Sequence, residues 1–348
     1  METELKFQIP PNCRAALERA VSGADAQTTR LQAVYVDTAG QHLARAGLAL
    51  RLRKEGRVWV QTLKGRGDGL LHRLEHEVKL PPQSGTPVLD VQRHAGTPAG
   101  ERLAAARPPG AALLPLYRTD ISRLHRQLRF EGAVVEVAYD RGWLIASEDS
   151  GGYSGDGAGE GRSVRKLAVN EIEFELLSGP PAKLAALALR WAAKHALWWD
   201  SRTKSERGMR LALGLRSGPA VTVHVPPSRA ADVPLPAGHA ALQAALAQAV
   251  ANAADIAEGL GTPEHLQALR AALRRILEAL RRMAAGGVSD GSGGSGGSDA
   301  PADLADDCEA IARELAGPPG AMAAPYVLMG LPFQTLMLRA LGLLLRAA

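Results

Sequence analysis

Runs of alternating charge recur along the first half of this chain. Glu2, Glu4 and Lys6 alternate with Thr3, Leu5 and Phe7, and Arg51 and Arg53 alternate with Leu50 and Leu52. Arg73, Glu75, Glu77 and Lys79 alternate with Leu74, His76 and Val78, and Glu171, Glu173 and Glu175 with Ile172, Phe174 and Leu176. Residues two apart lie on one face of a strand, so each run reads as a strand with a charged face and an apolar one. For a single strand, a polar face turned to water is ordinary. Taken together the runs ask for more, because glutamates sharing a face repel one another unless cations stand between them. Both requirements are met if the strands curl into a barrel, charged faces inward and apolar faces covered by helices. Carboxylates lining such a passage hold hard divalent cations through oxygen, and Arg and Lys clamp phosphate oxygens. The ligand expected from this chemistry is a metal-bound, highly charged phosphate chain.

The elements that must position these groups follow from period-2 alternation. Strands are expected at Thr3–Ile9, Arg30–Asp37, Ala49–Lys54, Val58–Lys64, Leu74–Leu80, Leu116–Arg123, His125–Phe130, Val134–Asp140, Trp143–Glu148 and Asn170–Leu177, with helices at Asn12–Ser22 and Ala182–His195. A chain of 348 residues suggests two domains. Residues 216–237, rich in proline, read as a linker between residues 1–215 and a smaller all-helical domain at 238–348. Helices there are expected at Ala240–Glu258, Pro263–Met283, Asp303–Leu315 and Pro332–Ala347, with a flexible Gly/Ser loop at 286–298. The fold class is therefore α+β, an antiparallel β-barrel followed by a helical domain. Residues 1–215 carry 31 Lys and Arg against 24 Asp and Glu, whereas residues 216–348 carry 10 against 12, so an anionic partner is expected at the first half. Cys13 and Cys308 are the only cysteines, which leaves no disulfide framework and no cysteine zinc site.

The motifs, in order, resemble those of the CYTH, or triphosphate tunnel metalloenzyme, superfamily. Glu2-x-Glu4-x-Lys6 is similar to its ExExK signature, Tyr35-Val36-Asp37-Thr38 to YxDT, Leu50-Arg51-Leu52-Arg53 to LRxR, and Thr62-Leu63-Lys64 to TxK. Arg73-x-Glu75, an Asp140-x-Gly142 turn, Glu171-Ile172-Glu173-Phe174-Glu175-Leu176 and Lys204 within Ser-Arg-Thr-Lys-Ser-Glu-Arg-Gly follow. The resemblance covers about residues 1–215 and implies an inorganic triphosphatase acting with Mg²⁺ or Mn²⁺, two ions in all. It implies that Lys6, Arg51, Arg53, Lys64, Arg73, Arg123 and Lys204 hold phosphates, that Glu2, Glu4, Glu171 and Glu173 hold metal, and that Glu2, Glu4 and Lys6 are catalytic; Glu75 and Glu175 are further carboxylates of the set. Where the family often shows K-x-R, this chain has Ile121-Ser122-Arg123.

Residues 264–275 are similar to the start of a CHAD domain, with Gln267 in place of the expected His and about half the usual length following. The resemblance implies a polyphosphate face made by Arg270, Arg274, Arg275 and Arg281. Alternatives within the same tunnel are hydrolysis of thiamine triphosphate or a nucleoside triphosphate, or ATP cyclisation; a non-catalytic polyphosphate binder is a third reading, against which the glutamates count. A ring-bearing substrate needs an aromatic shelf, and aromatic residues are 4% of the chain and mostly needed for packing, which favours bare triphosphate. Glu77 and Lys79 read as a rim ion pair. Met1 is followed at once by Glu2 and Glu4, not by a basic and then apolar segment, and the apolar tail 326–345 contains Pro332, Gln334 and Arg339. A cytoplasmic protein without membrane or specific nucleic-acid partners is expected.

Overall fold

The computed structural model describes residues 2–67, 70–83, 85–147, 164–223, 237–285 and 300–346. Its strands are β1 (Glu2–Gln8), β2 (Gln27–Asp37), β3 (Leu48–Glu55), β4 (Val58–Arg66), β5 (His72–Lys79), β6 (Leu114–Phe130), β7 (Ala133–Ser147), β8 (Val164–Ser178) and the two-residue β9 (Trp198–Trp199). Helices α1 (Arg14–Val21), α2 (His42–Arg45), α3 (Pro98–Ala106), α4 (Pro181–His195) and α5 (Lys204–Leu213) accompany them. The helical half contains α6 (Ala237–Ala257), α7 (Pro263–Ala285), α8 (Pro301–Glu314), α9 (Gly317–Met329) and α10 (Leu331–Arg346).

All strand pairings are antiparallel, in the order β5-β4-β3-β2-β6-β7-β8-β1, and β1 returns to β5 with Glu2 opposite Arg73. The sheet is thus an eight-stranded closed barrel, which removes the exposed edges of an open one. Its apolar faces point outward. Leu5, Phe7, Val135, Val137, Tyr139, Ile172 and Phe174 are buried there. Trp191 of α4 packs edge-on against Phe174, which in turn packs edge-on against Phe7, each pair at 5.7 Å. The same hydrophobic core runs without interruption into α6, α7, α8 and α10, so barrel and helical half share it. Helices α2 and α3 cover the far side through Leu43, Leu50, Leu63 and Leu103.

Inside, the lining changes character along the barrel. Over one stretch it is charged; beyond it Leu31, Ile121, Leu144 and Val169 meet Leu211, and Ala33, Tyr35, Tyr117 and Ala146 meet Met209 and Leu211. These last residues belong to α5, which closes that end. Ile121, the residue standing where the family shows a lysine, is one of the apolar contacts of this plug.

Several expected elements differ. The segments expected as separate strands on either side of Leu124, and on either side of an Asp140-x-Gly142 turn, are the single long strands β6 and β7. Gly142 makes no turn: it lies mid-strand because a Cβ there would be 2.0 Å from the Asp120 carbonyl oxygen. Helices α2, α3, α5 and α9 were not anticipated; α9 carries Pro325 in its interior. The start of the linker is held down: Val221 donates to Asn252 Oδ1 at 3.0 Å and Val223 to Gln248 Oε1 at 2.9 Å, both on α6. The rest of that linker, 224–236, and the Gly/Ser loop 286–298 lie outside the described residues. No single helix among the described residues is long and apolar enough to cross a membrane; α9 and α10 meet at 62°, and α10 buries Phe333, Leu336, Met337 and Leu341.

The plug fits tightly. A Cβ on Gly208 would lie 2.2 Å from the Tyr117 ring. Gly208→Ala is expected to destabilise the protein by about 1–3 kcal/mol, seen as a lower urea midpoint with unchanged m-value. An unchanged midpoint would mean that α5 does not sit against Tyr117.

Candidate active site

The charged stretch of the inner wall is built by register. Lys6 stands opposite Glu173, Gln8 opposite Glu171, and Glu171 opposite Asp140, which faces Arg123. The N-terminus of α5 enters this girdle. Its start is set by a capping box in which Thr203 Oγ1 accepts from the Glu206 backbone and Glu206 accepts from the Thr203 backbone. Lys204 Nζ is thereby placed 2.7 Å from Asp140 Oδ2, 2.6 Å from Glu171 Oε1 and 2.7 Å from Glu173 Oε1. Arg123 makes a two-pronged pair with Asp140, both bonds 2.7 Å, and also bonds Glu173. Arg207 Nη1 donates to Glu171 Oε2 at 2.6 Å, and Lys6 Nζ is 3.6 Å from the same oxygen. Burial alone would raise the Glu171 carboxyl, but Lys204, Lys6 and Arg207 outweigh it and bring it down to about 2. Glu173 is likewise held well below its ordinary value, by Lys204 and Arg123 against the effect of burial.

A second charged group lies along β1, β3, β4 and β5. Lys64 Nζ is 2.8 Å from Glu2 and 3.1 Å from Glu75; Arg73 pairs with Glu4. Arg53 donates to Glu77 at 3.1 Å, and Thr62 Oγ1 to the same carboxylate oxygen at 3.0 Å. Arg51 Nη1 donates to the Tyr35 hydroxyl at 3.0 Å. Tyr35 and Tyr117 stack on each other 4.7 Å apart. The Nε atoms of Arg51 and Arg53 are buried and make no hydrogen bond. Buried donors of this kind are costly to leave unmatched, so the pair is suited to an anion entering between them.

The strand registers bring the expected residues to the inner wall of the barrel, but not in the groupings expected. Glu171 and Glu173 cluster with Asp140 and offer one oxygen each within 4.8 Å of one another. Glu2 and Glu4 are held by Lys64 and Arg73, although the Glu173 charge still acts on both. Glu77 faces inward to Arg53 and Arg51; it is not a rim partner of Lys79. Asp140 and Arg207 were missed as site residues. The alternation Glu136-Ala138-Asp140 was available for the first, and the spacing of Lys204 and Arg207 along a capped helix for the second. In the helical half, Arg270 donates to the Leu315 and Gly317 carbonyls at 2.7 and 2.8 Å, Arg275 to Val223 O and Gln248 Oε1, each at 3.0 Å, and Arg281 to Glu309 at 2.8 Å. Arg274 is exposed. The donor set Asp140, Glu171 and Glu173 is all carboxylate, which suits a hard divalent cation. Glu171 Oε1 is buried there without a hydrogen bond, though it lies against the Lys204 ammonium.

The CYTH domain family model matches residues 1–209. An inorganic triphosphatase of Haemophilus influenzae is 27% identical over 220 residues, 60% of this chain and 54% of that protein, so the chain spans about half of its relative. Among solved structures, a putative adenylate cyclase from Bacillus halodurans is 17% identical, with 60% of this chain and 96% of the other covered and a TM-score of 0.38. A putative adenylyl cyclase from Hippeastrum, described as having a dominant triphosphatase activity, is 19% identical, with 62% and 97% covered and a TM-score of 0.39.

Burial raises the carboxyls of Glu75 and Glu175 to about 7, and the nearby Glu2 charge adds to the effect in both. The folded chain then keeps protons that the unfolded chain releases nearer the ordinary value of 4.5. Folding stability contributed by these groups is full at low pH and is lost as pH rises through that window to about 7. Glu175→Gln, in buffer without divalent cations, is expected to melt a few degrees above the parent protein at pH 8 and close to it at pH 5. Calorimetric melts showing the larger difference at pH 5 would contradict this.

Proposed function

The chain belongs to the CYTH domain family, and we propose that its barrel hydrolyses inorganic triphosphate to pyrophosphate and phosphate with a divalent cation, Mg²⁺ or Mn²⁺. The observation that carries the reading is the pair of buried arginines, Arg51 and Arg53, whose Nε donors have no hydrogen bond and face the same wall as Lys64, Arg73, Arg123 and Lys204. A compact polyanion with oxygens at both ends matches those donors; a neutral metabolite does not. The stack of Tyr35 on Tyr117 is enclosed against α5 and offers no shelf for a nucleobase or a thiamine ring, which favours the bare triphosphate.

Phosphoryl transfer to water depends mainly on position and charge. Arg51, Arg53, Lys64 and Arg73 would hold phosphate oxygens along one side of the passage, and Arg123 and Lys204 would stabilise charge on the departing pyrophosphate. Lys6, buried beside Glu171, adds a further cation at the deep end. Asp140, Glu171 and Glu173, with Glu2 and Glu4 alongside, are the carboxylates that would hold a divalent cation, which when bound supplies charge neutralisation and an acidified water. Glu75 and Glu175, titrating near neutrality on the same wall, can take up the proton that the attacking water loses. Capture of polyphosphate by the helical half has weaker support, because Arg270, Arg275 and Arg281 already bond carbonyls or carboxylates.

Phosphate release from inorganic triphosphate, thiamine triphosphate and ATP, compared with Mg²⁺, with Mn²⁺ and with EDTA, tests the reading. Inorganic triphosphate is expected to be the best substrate, with no turnover in EDTA. Arg53→Ala and Glu173→Gln are each expected to lower kcat/KM by about 10²-fold or more. Preferred conversion of ATP, or tight binding of triphosphate without hydrolysis under any metal condition, would overturn it.

A further inference from the structure

A second line of buried charge leaves the tunnel wall and runs into the helical half. Asp200, which follows β9, accepts the Arg202 backbone N–H and Nε through Oδ1, both at 2.9 Å. Its Oδ2 accepts Arg202 Nη2 at 2.9 Å and Gln8 Nε2 at 2.8 Å. The remaining arm of Arg202, Nη1, donates at 2.8 Å to Asp255 Oδ1 on α6 and lies 2.9 Å from Glu258. Arg210, two turns along α5 from Lys204, donates to the same Asp255 oxygen at 2.7 Å. His265 of α7 has Nε2 3.6 Å from Asp255 Oδ2. Asp200, Arg202 and Asp255 are 0%, 4% and 1% exposed, so water can replace none of these partners.

The near end of this line is attached to the active-site groups. Lys6 Nζ donates to the backbone carbonyl of Arg202, and the Asp200 backbone N–H donates to the Lys6 carbonyl at 2.9 Å. Gln8, held by Asp200, also reaches Glu171 at 3.4 Å. Helix α5 is pinned at both ends, by Lys204 in the carboxylate cage and by Arg210 on Asp255. Among the described residues, Asp255 is the buried carboxylate that accepts from the guanidinium groups of both Arg202 and Arg210. Without its charge Arg210 would lose its carboxylate and Arg202 would keep only Asp200 and Glu258, and breaking a buried pair displaces what it holds. The segment they would displace, residues 200–210, carries the acceptor for Lys6, the cap of α5, Lys204 and Arg207.

We propose that Asp255, a residue of the helical half outside the family match, is a positioning residue for the tunnel. Acting through Arg202 and Arg210, it sets Lys6, Lys204 and Arg207 at the distances that triphosphate binding requires. The helical half is on this account a structural part of the anion site. The inference rests on the reading of the tunnel as a triphosphate site.

The test uses the full chain and titrates tripolyphosphate calorimetrically in EDTA, so that binding is read apart from metal and turnover. Asp255→Asn is expected to bind tripolyphosphate about tenfold more weakly than the parent protein, with Asp255→Glu recovering part of the loss. Steady-state assays of the same variant should show KM raised and kcat lowered with it, since Lys204 also faces the departing pyrophosphate. Glu278→Gln, which alters an exposed ion pair on α7, should bind as the parent does. Parental affinity in Asp255→Asn, even with a lowered melting temperature, would overturn the proposal and leave Asp255 a purely structural contact. Should that variant not fold, hydrogen exchange on the unmodified protein decides: tripolyphosphate should slow amide exchange at 251–258 as well as at 204–210, by the reciprocity of coupling. Slowing confined to 204–210 would overturn it. Absence of any tripolyphosphate binding by the parent protein would instead remove the tunnel reading, and this inference with it.

Discussion

An ionised group withdrawn from water has to find an opposite charge or a ligand, and the barrel is organised around that requirement. Its inner wall carries Glu2, Glu4, Glu75, Glu77, Asp140, Glu171 and Glu173 together with Lys6, Arg51, Arg53, Lys64, Arg73, Arg123, Lys204 and Arg207. Each of these carboxylates meets a cation at salt-bridge distance. Among the wall atoms that make no hydrogen bond are three donors, Arg51 Nε, Arg53 Nε and Arg207 Nε, and one acceptor, Glu171 Oε1, which lies against the Lys204 ammonium. A wall balanced in this way is stable when empty and still has donors left for an anion.

Closure of the sheet makes such a wall possible. An open sheet with this sequence would place its charged face in water, where ion pairs contribute little and pKa values stay near their ordinary range. By joining β1 to β5 the chain brings the charged faces of seven of the eight strands against one another, β2 supplying apolar plug contacts instead. The apolar faces turn outward, to be covered by α1, α4 and the helical half. The apolar plug supplied by α5 works in the same direction: it closes one end, excludes water from it and carries Lys204 and Arg207 to the carboxylates. The shared core explains why the helical half cannot be regarded as a loosely tethered partner. Phe7, Phe174, Trp191, Leu246, Ile276 and Leu336 belong to one continuous packing unit.

Much of this was legible beforehand because β-structure leaves a short-range record. Alternation at period 2 marked which side chains of β1, β3, β5 and β8 share a face, and mutual repulsion among Glu171, Glu173 and Glu175 implied that cations must lie opposite. The strand break was misplaced at Gly142 because glycine reads as a turn locally. Its real cause, the approach of the Asp120 carbonyl from a neighbouring strand, is a contact of the folded state. Helix α5 was not expected although Thr203 and Glu206 form a capping box, because its opening residues, Lys204-Ser205-Glu206-Arg207-Gly208, include no apolar side chain to mark a helical face. Arg270 and Arg275 looked like a free basic stripe, since nothing near them in the chain announces that the Leu315 and Val223 carbonyls will be their acceptors.

The amino-acid sequence by itself determined the strand faces, the excess of positive charge in the first half, the family resemblance and the division into a β-rich and a helical part, all of which depend on neighbours a few residues apart. Tertiary structure alone decided which charges meet. It grouped Asp140 with Glu171 and Glu173, turned Glu77 toward Arg53, and set Asp255 between Arg202 and Arg210. Coulomb pairing acts over a few ångströms of space regardless of separation along the chain. Only the closed barrel and the helices packed on it bring residues 6, 140, 171, 204 and 255 within that range.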